Sequence, residues 1–303
     1  MPLIGCAPNV SEGRRQDVIQ LISTEIASVR GVKLLDVSAD AEINRSVFTF
    51  VGTQTPLRRA VYRLMRAAFE NIDISIHKGK HPRIGIVDVI PFIPLRATTM
   101  ERCIELSKTA GKDLAENFGV PVYLYEQSAT APGRVSINDI RSGEYEGFFE
   151  KIQRPEWQPD FGPARVHPTA GVVVVGARPP IITFNITLKH ATVKIARQVI
   201  EKIRAVGARP RQVKAILLDK GRRNEMKIAV NLFDYKKTPM HVVLEAAEKA
   251  ARRDGAQVVG VKLIGLITAD ALIKSLNHYM KVEEFDSAQV LEFHLPQRRK
   301  GTL

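Results

Sequence analysis

The sequence predicts an α+β protein built as two-layer sandwiches. Three observations predict it. Short apolar, β-branched segments alternate with stretches of helical apolar spacing. Several strands follow one another across polar turns, as hairpins do, rather than one strand per helix throughout. A strand–helix–strand–strand–helix–strand order can be traced in both halves, which suggests two ferredoxin-like units and fits a doubly wound parallel sheet less well. No sequence repeat accompanies this order. The expected boundary lies near residue 178, giving domains 1–178 and 179–303.

The elements follow in order. Pro2 to Val10 reads as a strand, and Arg14 to Arg30 as a helix with Val18, Ile19, Leu21, Ile22 and Ile26 on one face and Ser11 as its cap. Val32 to Val37 and Val47 to Val51 read as strands. Pro56 stands in the first turn of a helix that ends near Asn71. Gly85 to Pro94 is a buried strand, Thr98 to Phe118 a helix and Val120 to Tyr125 a strand. Periodicity fades from Ala129 to Thr169, in a Pro- and Gly-rich stretch of a length usually functional or connecting. Strands resume at Gly171 to Gly176 and Ile181 to Leu188, and a helix follows from His190 to Val206. Val213 to Leu218 and Lys227 to Leu232 form a hairpin through DKGRRNE. A helix from Thr238, with Thr238 as cap and Pro239 in its first turn, runs to Arg253. Val258 to Ile267 is a strand, Thr268 to Tyr279 a helix, and QRRKGTL a basic tail.

The composition narrows the function classes. The 303 residues are 45% hydrophobic and 25% charged, which excludes a disordered or collagenous chain. Two cysteines, Cys6 and Cys103, exclude a disulfide framework and point to a reducing compartment. No apolar run reaches the ~18 residues a membrane span needs, and the N-terminal arginines follow the apolar stretch, the reverse of a signal peptide. A cytoplasmic protein without a membrane segment is expected. The net charge of +13 asks for an anionic partner. Nucleic acid is one such class, and a polyanionic small molecule drawn into a basic cleft is another. With 6% aromatics and one Trp, stacking platforms for single strands are not favoured. Walker, dinucleotide, nucleophile-elbow, HExxH and CxxC motifs are all missing from the sequence.

Polar chemistry concentrates in His77-Lys78-Gly79-Lys80-His81-Pro82-Arg83-Ile84-Gly85, between a helix and an apolar strand. A histidine here keeps a pKa near neutral or somewhat lower, because neighbouring cations disfavour its charged form, and that suits a general base or acid. The bland alternative is a basic surface loop. Trp157 to Gly171, WQPDFGPARVHPTAG, offers backbone amides for a planar ligand or else a rigid connector. Asn44, Arg45, Arg178, Asn185 and Asn231 stand at or within strands, where each singly would satisfy local backbone.

Taken together these motifs resemble glutamate formiminotransferase. The resemblance is carried by APNVSEGR (7–14), LLDV (34–37) with NRSVFTFVG (44–52), HKGKHPRIG (77–85), DVIPFIPLR (88–96), VPVYLYE (120–126), IRSGEYEGFFEKIQRPEWQPDFGP (140–163) and ITFNITL (182–188). It continues through NLFDYKKTPMHVV (231–243) and VVGVKLIGL (258–266), so it covers nearly the whole chain in order. It corresponds to the formiminotransferase portion of formiminotransferase-cyclodeaminase, without the helical cyclodeaminase portion.

The resemblance implies transfer of the formimino group from N-formimino-L-glutamate to tetrahydrofolate, the co-substrate, in histidine degradation. It implies two similar α/β subdomains whose sheets face a folate cleft, in a homodimer, with no metal and no nucleic-acid partner. The family's catalytic histidine falls on His81. Its folate stretch falls on Gly162, Pro163, Ala164, Arg165, Val166, His167, Pro168, Thr169, Ala170 and Gly171. Arg45, Arg83 and Arg178, with Asn44, are the candidates for holding substrate carboxylates, since a guanidinium fork fits a carboxylate bidentately.

Two positions depart from the family pattern. Lys80 stands where the family has an acid, and Ser38 where it has another two residues after the Asp of LLDV. Loss of a carboxylate near His81 lowers its pKa and removes an orienting partner, with Asp36, Asp40 and Glu42 as the acids that could compensate. If both positions are peripheral, neither change matters. A non-catalytic folate- or nucleic-acid-binding homologue, and a glutamate formyltransferase or formyl-folate variant, are the competing readings.

Overall fold

The computed structural model describes residues 2–207, 212–219, 225–282, 285, 289 and 290. The chain divides into two compact units, Met1–Pro179 and Pro180–Leu303. The turn within DKGRRNE and the QRRKGTL tail lie outside the described residues.

The first unit opens with β1 (Ile4–Cys6), β2 (Asn9–Val10), α1 (Gln16–Ala27), β3 (Val32–Asp40), β4 (Arg45–Gly52), α2 (Gln54–Asn71) and β5 (Val87–Pro94). Its sheet runs β3–β4–β1/β2–β5, all antiparallel, with β1 and β2 both filling the place between β4 and β5. This is the ferredoxin-like order. The segment expected as one strand from Pro2 to Val10 is thus broken at Ala7–Pro8, where proline offers no ladder donor. Beyond β5 the sheet is extended by a parallel pair, β7 (Val173–Ala177) and then β6 (Val122–Glu126), reached through α3 (Met100–Phe118). β5, β6 and β7 are buried almost throughout and read as continuous apolar runs. β4 instead alternates buried and half-buried residues, as a strand with one wetter face should.

The irregular stretch after β6 holds more structure than its periodicity indicates. It contains α4 (Ile137–Arg141), α5 (Glu144–Lys151) and 3-10 turns at Pro132–Arg134 and Pro155–Trp157. Helices of five and eight residues are too short to show a helical repeat. The core of this unit joins Phe48, Phe50, Phe92, Tyr123 and Phe148 to Ile22, Leu64 and Met65.

The second unit is β8 (Ile182–Lys189), α6 (Val193–Ala205), β9 (Val213–Asp219), β10 (Glu225–Leu232), α7 (Met240–Arg253), β11 (Gln257–Ile264) and α8 (Ala269–Met280). Its sheet order, β11–β8–β10–β9, is again ferredoxin-like, and β9 and β10 pair antiparallel as the hairpin reading expects. Phe184, Ile186, Ile228 and Val230 from the sheet meet Val199, Ile203 and Val243 from the helices.

Two expected caps are corrected. Ser11 does not cap α1: its Oγ donates to the Gly85 carbonyl at 2.7 Å, and the Glu12 carboxylate accepts from the amides of Arg14 (2.9 Å) and Arg15 (3.0 Å) instead. Thr238 does not cap α7: its hydroxyl bonds Gln212 Oε1 at 3.3 Å, and Pro239 takes the cap position. Among the described residues no helix is long and apolar enough to cross a membrane.

Candidate active site

The site is built around the loop that enters β5. Asp88, the second residue of that strand, is fully buried. Such a carboxylate must be paired, and two arginines answer it. Arg45, at the start of β4, donates Nη2 to Asp88 Oδ2 at 2.8 Å and Nε to Asn9 Oδ1 at 3.1 Å. Arg141, the last residue of α4, donates Nε to the same oxygen at 2.9 Å, and its Nη2 also bonds it. The other oxygen accepts the Ile84 amide at 3.0 Å, tying the loop to the cluster. Burial would push the Asp88 carboxyl up, but Arg141 and Arg45 outweigh it and hold it at about 2.

His81 stands half-buried beside this cluster. Its Nδ1 lies 2.7 Å from the Pro82 carbonyl. A carbonyl only accepts, so Nδ1 carries the proton and Nε2 is the free basic nitrogen. Burial, then Arg45 and Arg141, push the imidazole down to about 4. The near-neutral value expected from sequence is therefore corrected downward, with burial as the main cause. The charges that act most on His81 are Arg45, Arg141 and Asp88, not Lys80. Its ammonium pairs with Glu42, both groups being exposed, while Asp40 caps the turn through the amides of Glu42 (2.8 Å) and Ile43 (3.2 Å). Ser38 is an exposed residue of β3.

Asn44 pins the other end of the loop. It lies in a left-handed conformation (φ 51°), accepts the Gly13 amide on Oδ1 at 2.9 Å and donates Nδ2 to the Lys78 carbonyl at 3.1 Å. Its own carbonyl accepts His77 Nε2 at 2.9 Å. Both ends of the Asn44 amide are thus occupied within the protein. So is the Arg83 fork, which bonds Glu144 (2.9 Å) and Glu146 (2.8 and 2.6 Å) at the start of α5. Arg178 approaches from the far end of β7: its side chain hydrogen-bonds buried Tyr125, which also feels Arg141. It follows β7 at the end where Phe92 pairs Ala177, five residues along the strand from the level of Asp88, roughly 16 Å at ~3.3 Å per residue.

The stretch 162–171 is locked to the histidine loop through backbone. Gly171 and Gly85 bridge, the Val172 amide donates to the Ile84 carbonyl at 2.9 Å, and the Ile86 amide donates to the Ala170 carbonyl at 3.0 Å. A Cβ on Gly85 would fall 2.1 Å from the Val172 carbonyl, and one on Gly171 would fall 2.2 Å from that of Ile84, so only glycine permits this approach. Within the stretch, His167 Nδ1 accepts the Ala170 amide at 3.0 Å and the ring packs edge-on against Phe69. Tyr145 Oη donates to the Pro168 carbonyl at 2.5 Å, and the Ile74 amide to that of Thr169 at 2.8 Å. Gly162, Pro163, Ala164, Arg165 and Val166 form the first half, of which Val166 is buried. Asn44, Arg45, His81, Arg83 and 162–171 are therefore one connected assembly, and Arg178 meets its edge through Tyr125.

Sequence reasoning missed Asp88 and Arg141. The signal for Asp88 was present: an acid inside the apolar run of β5 must be buried and paired. Nothing local names Arg141 as its partner, 53 residues away. Two clefts open beside the loop, of about 620 and 310 Å³, sharing Ile76, His77 and Lys78; neither is lined by His81. Among the described residues no group of three or more His, Cys, Asp or Glu could hold a metal ion.

Fold and site define a two-unit α+β protein with a neutral histidine set over a buried cationic cluster. Comparison with known proteins supplies the family. Residues 3–178 match the formiminotransferase domain, N-terminal subdomain, and residues 183–292 the formiminotransferase domain. The chain is 40% identical to the glutamate formimidoyltransferase of Streptococcus pyogenes serotype M1, over 97% of this chain and 98% of that protein. It is 39% identical to the glutamate formimidoyltransferase of Thermoplasma acidophilum, over 96% and 97%. The formimidoyltransferase-cyclodeaminase of Sus scrofa is 39% identical over 93% of this chain, which spans 53% of that longer protein. The chain belongs to the formiminotransferase family.

Proposed function

We propose that this protein transfers the formimino group of N-formimino-L-glutamate to tetrahydrofolate, giving 5-formiminotetrahydrofolate and L-glutamate. The observation that carries the reading is His81, its Nε2 unprotonated, on a loop that shares backbone hydrogen bonds with 162–171. The folate ring nitrogen attacks the formimino carbon, and a C–N bond forms. His81 Nε2 takes the proton that this amine releases. It returns the proton to the glutamate nitrogen as the old C–N bond breaks, so one group serves as base and then acid. We assign 162–171 to the folate and Arg45 to a substrate carboxylate. Asn44, whose amide is occupied within the protein, and Arg83, whose Nη1 and Nη2 are held by Glu144 and Glu146, hold the loop. The remaining rate gain comes from keeping two substrates in register.

The test is direct. The purified chain with both substrates should give a product that acid converts to methenyltetrahydrofolate, read by its absorbance. No product, or undiminished turnover in His81→Ala, would overturn the reading. A cytoplasmic homodimer belongs to the same proposal. Its support is the edge strand β11, on which Val259, Val261, Leu263 and Ile264 are exposed, and sedimentation equilibrium tests it.

A further inference from the structure

We propose that Arg141 joins Arg45 as the receptor for the α-carboxylate of the amino-acid substrate, with Asp88 as the pedestal that holds both guanidinium forks. The inference rests on the formimino-transfer reading and names a residue and a substrate group within it. One buried carboxylate faces two guanidinium groups, so the cluster carries an excess positive charge inside the protein. A buried charge calls for an answering group. Arg45 is 5% exposed, and its Nη1 is buried and makes no hydrogen bond, while Nε and Nη2 go to Asn9 and Asp88. Asp88 engages Nε and Nη2 of Arg141 and leaves its Nη1. Among the described residues Arg45 Nη1 is thus buried without an acceptor, and the bonds of Arg141 to Asp88 leave its Nη1 available. A carboxylate supplies what they lack: two oxygens in a plane, matched to forked donors.

Position decides which carboxylate. The Ile84 amide, three residues from His81, donates to Asp88 Oδ1 at 3.0 Å, so the pedestal and its arginines stand beside the loop that bears the proton carrier. His81 must reach the nitrogen that leaves with glutamate. That nitrogen is bonded to the α-carbon, which bears the α-carboxylate; the γ-carboxylate is two carbons further along the chain. A receptor adjacent to His81 thus takes the α-carboxylate. The charged groups that act most on His81 are Arg45 from β4, Arg141 from α4 and Asp88 from β5. A bound carboxylate shifts their balance toward neutral and raises the proton affinity of His81, so the substrate itself prepares the base to become the acid.

The test compares N-formimino-L-glutamate with N-formimino-4-aminobutyrate, which keeps the distal carboxylate and lacks the α one. In the wild-type protein its loss should lower kcat/KM by ~10- to 100-fold, the range of a charge-assisted pair. In Arg141→Met the two substrates should differ by less than about threefold, with Arg141→Lys between and KM for tetrahydrofolate unchanged. An Arg141→Met protein with an intact melting curve and undiminished preference for the α-carboxylate overturns the proposal. A second measurement needs no variant. Arginine Nε–H and His81 ring resonances of the wild-type chain are titrated with L-glutamate and with 4-aminobutyrate. Shifts at Arg45, Arg141 and His81 with glutamate alone support the receptor. No shift, or equal shifts with both ligands, overturns it. Glutamate-specific shifts in a chain that transfers no formimino group would sink the reaction and leave the receptor standing.

Discussion

At the scale of single residues, His81 is defined by what surrounds it. Burial and two arginines hold its pKa at about 4, against an ordinary 6.5. The free protein therefore keeps a neutral base throughout the physiological range. The acid limb of kcat/KM should be centred near pH 4 rather than near 6.5, and a pH–rate profile at low substrate checks it. His81→Ala should lower kcat by ~10²- to 10⁴-fold, the usual worth of acid–base catalysis, with an unchanged melting temperature. The same depression has a sign for stability. Its contribution is present above the unfolded value of 6.5 and is lost as pH falls through about 4. Asp88 contributes in the same sense lower down, present above 3.8 and lost toward about 2. Thermal melts at pH 7, 5 and 4 should show a progressive fall, with Asp88→Asn already destabilised at pH 7 because two buried arginines then share a neutral partner.

At the scale of elements, α4 and α5 show why part of the site was hidden in the sequence. α4 has five residues, yet it delivers Arg141. It is held from behind by Lys151 at the end of α5, whose ammonium donates to the carbonyls of Asp139 (2.8 Å), Ile140 (2.8 Å) and Ser142 (3.1 Å). The same ammonium lies 3.9 Å from the Trp157 ring centroid. Burial first, with Arg154 assisting, lowers its pKa to about 8. Lys151→Met should remove one donor from each of those three carbonyls, loosen Arg141 and cost about 1–3 kcal/mol in denaturant unfolding. Its kcat/KM should fall more than that of a surface control such as Lys108→Met.

The longer elements were readable because strands of alternating or continuous apolar character and helices such as α2 repeat their pattern several times. HKGKHPRIG was readable as chemistry because five basic side chains crowd one turn. The caps misled because Ser11 and Thr238 look local and bond groups distant in sequence, Gly85 and Gln212. The parallel extension by β6 and β7 was hidden for a related reason. No local pattern tells that β7, later in the chain, inserts between β5 and β6.

At the scale of the whole molecule, the charge of +13 finds a use that does not require nucleic acid. Both proposed substrates are polycarboxylates, and a folate with several glutamyl residues is a long anion. Raising ionic strength from 0.05 to 0.5 M should increase KM for a polyglutamylated folate more than for the monoglutamate, because screening weakens long-range attraction. Equal KM shifts for the two would show that the basic excess has no part in folate capture. Each unit is built on a βαββαβ order with its own core, which makes the duplication traced in the sequence a property of topology rather than of residue identity.

The glycine bridge between residues 85 and 171 has a consequence for anyone who would rebuild this protein. Where two segments meet main chain to main chain, no side chain stands between them to absorb a change in either. The histidine loop and the 162–171 loop are thus one inheritable part. A graft that exchanged the second for that of another protein would have to carry the first with it. A library that varied the two separately would return mostly proteins in which neither is seated.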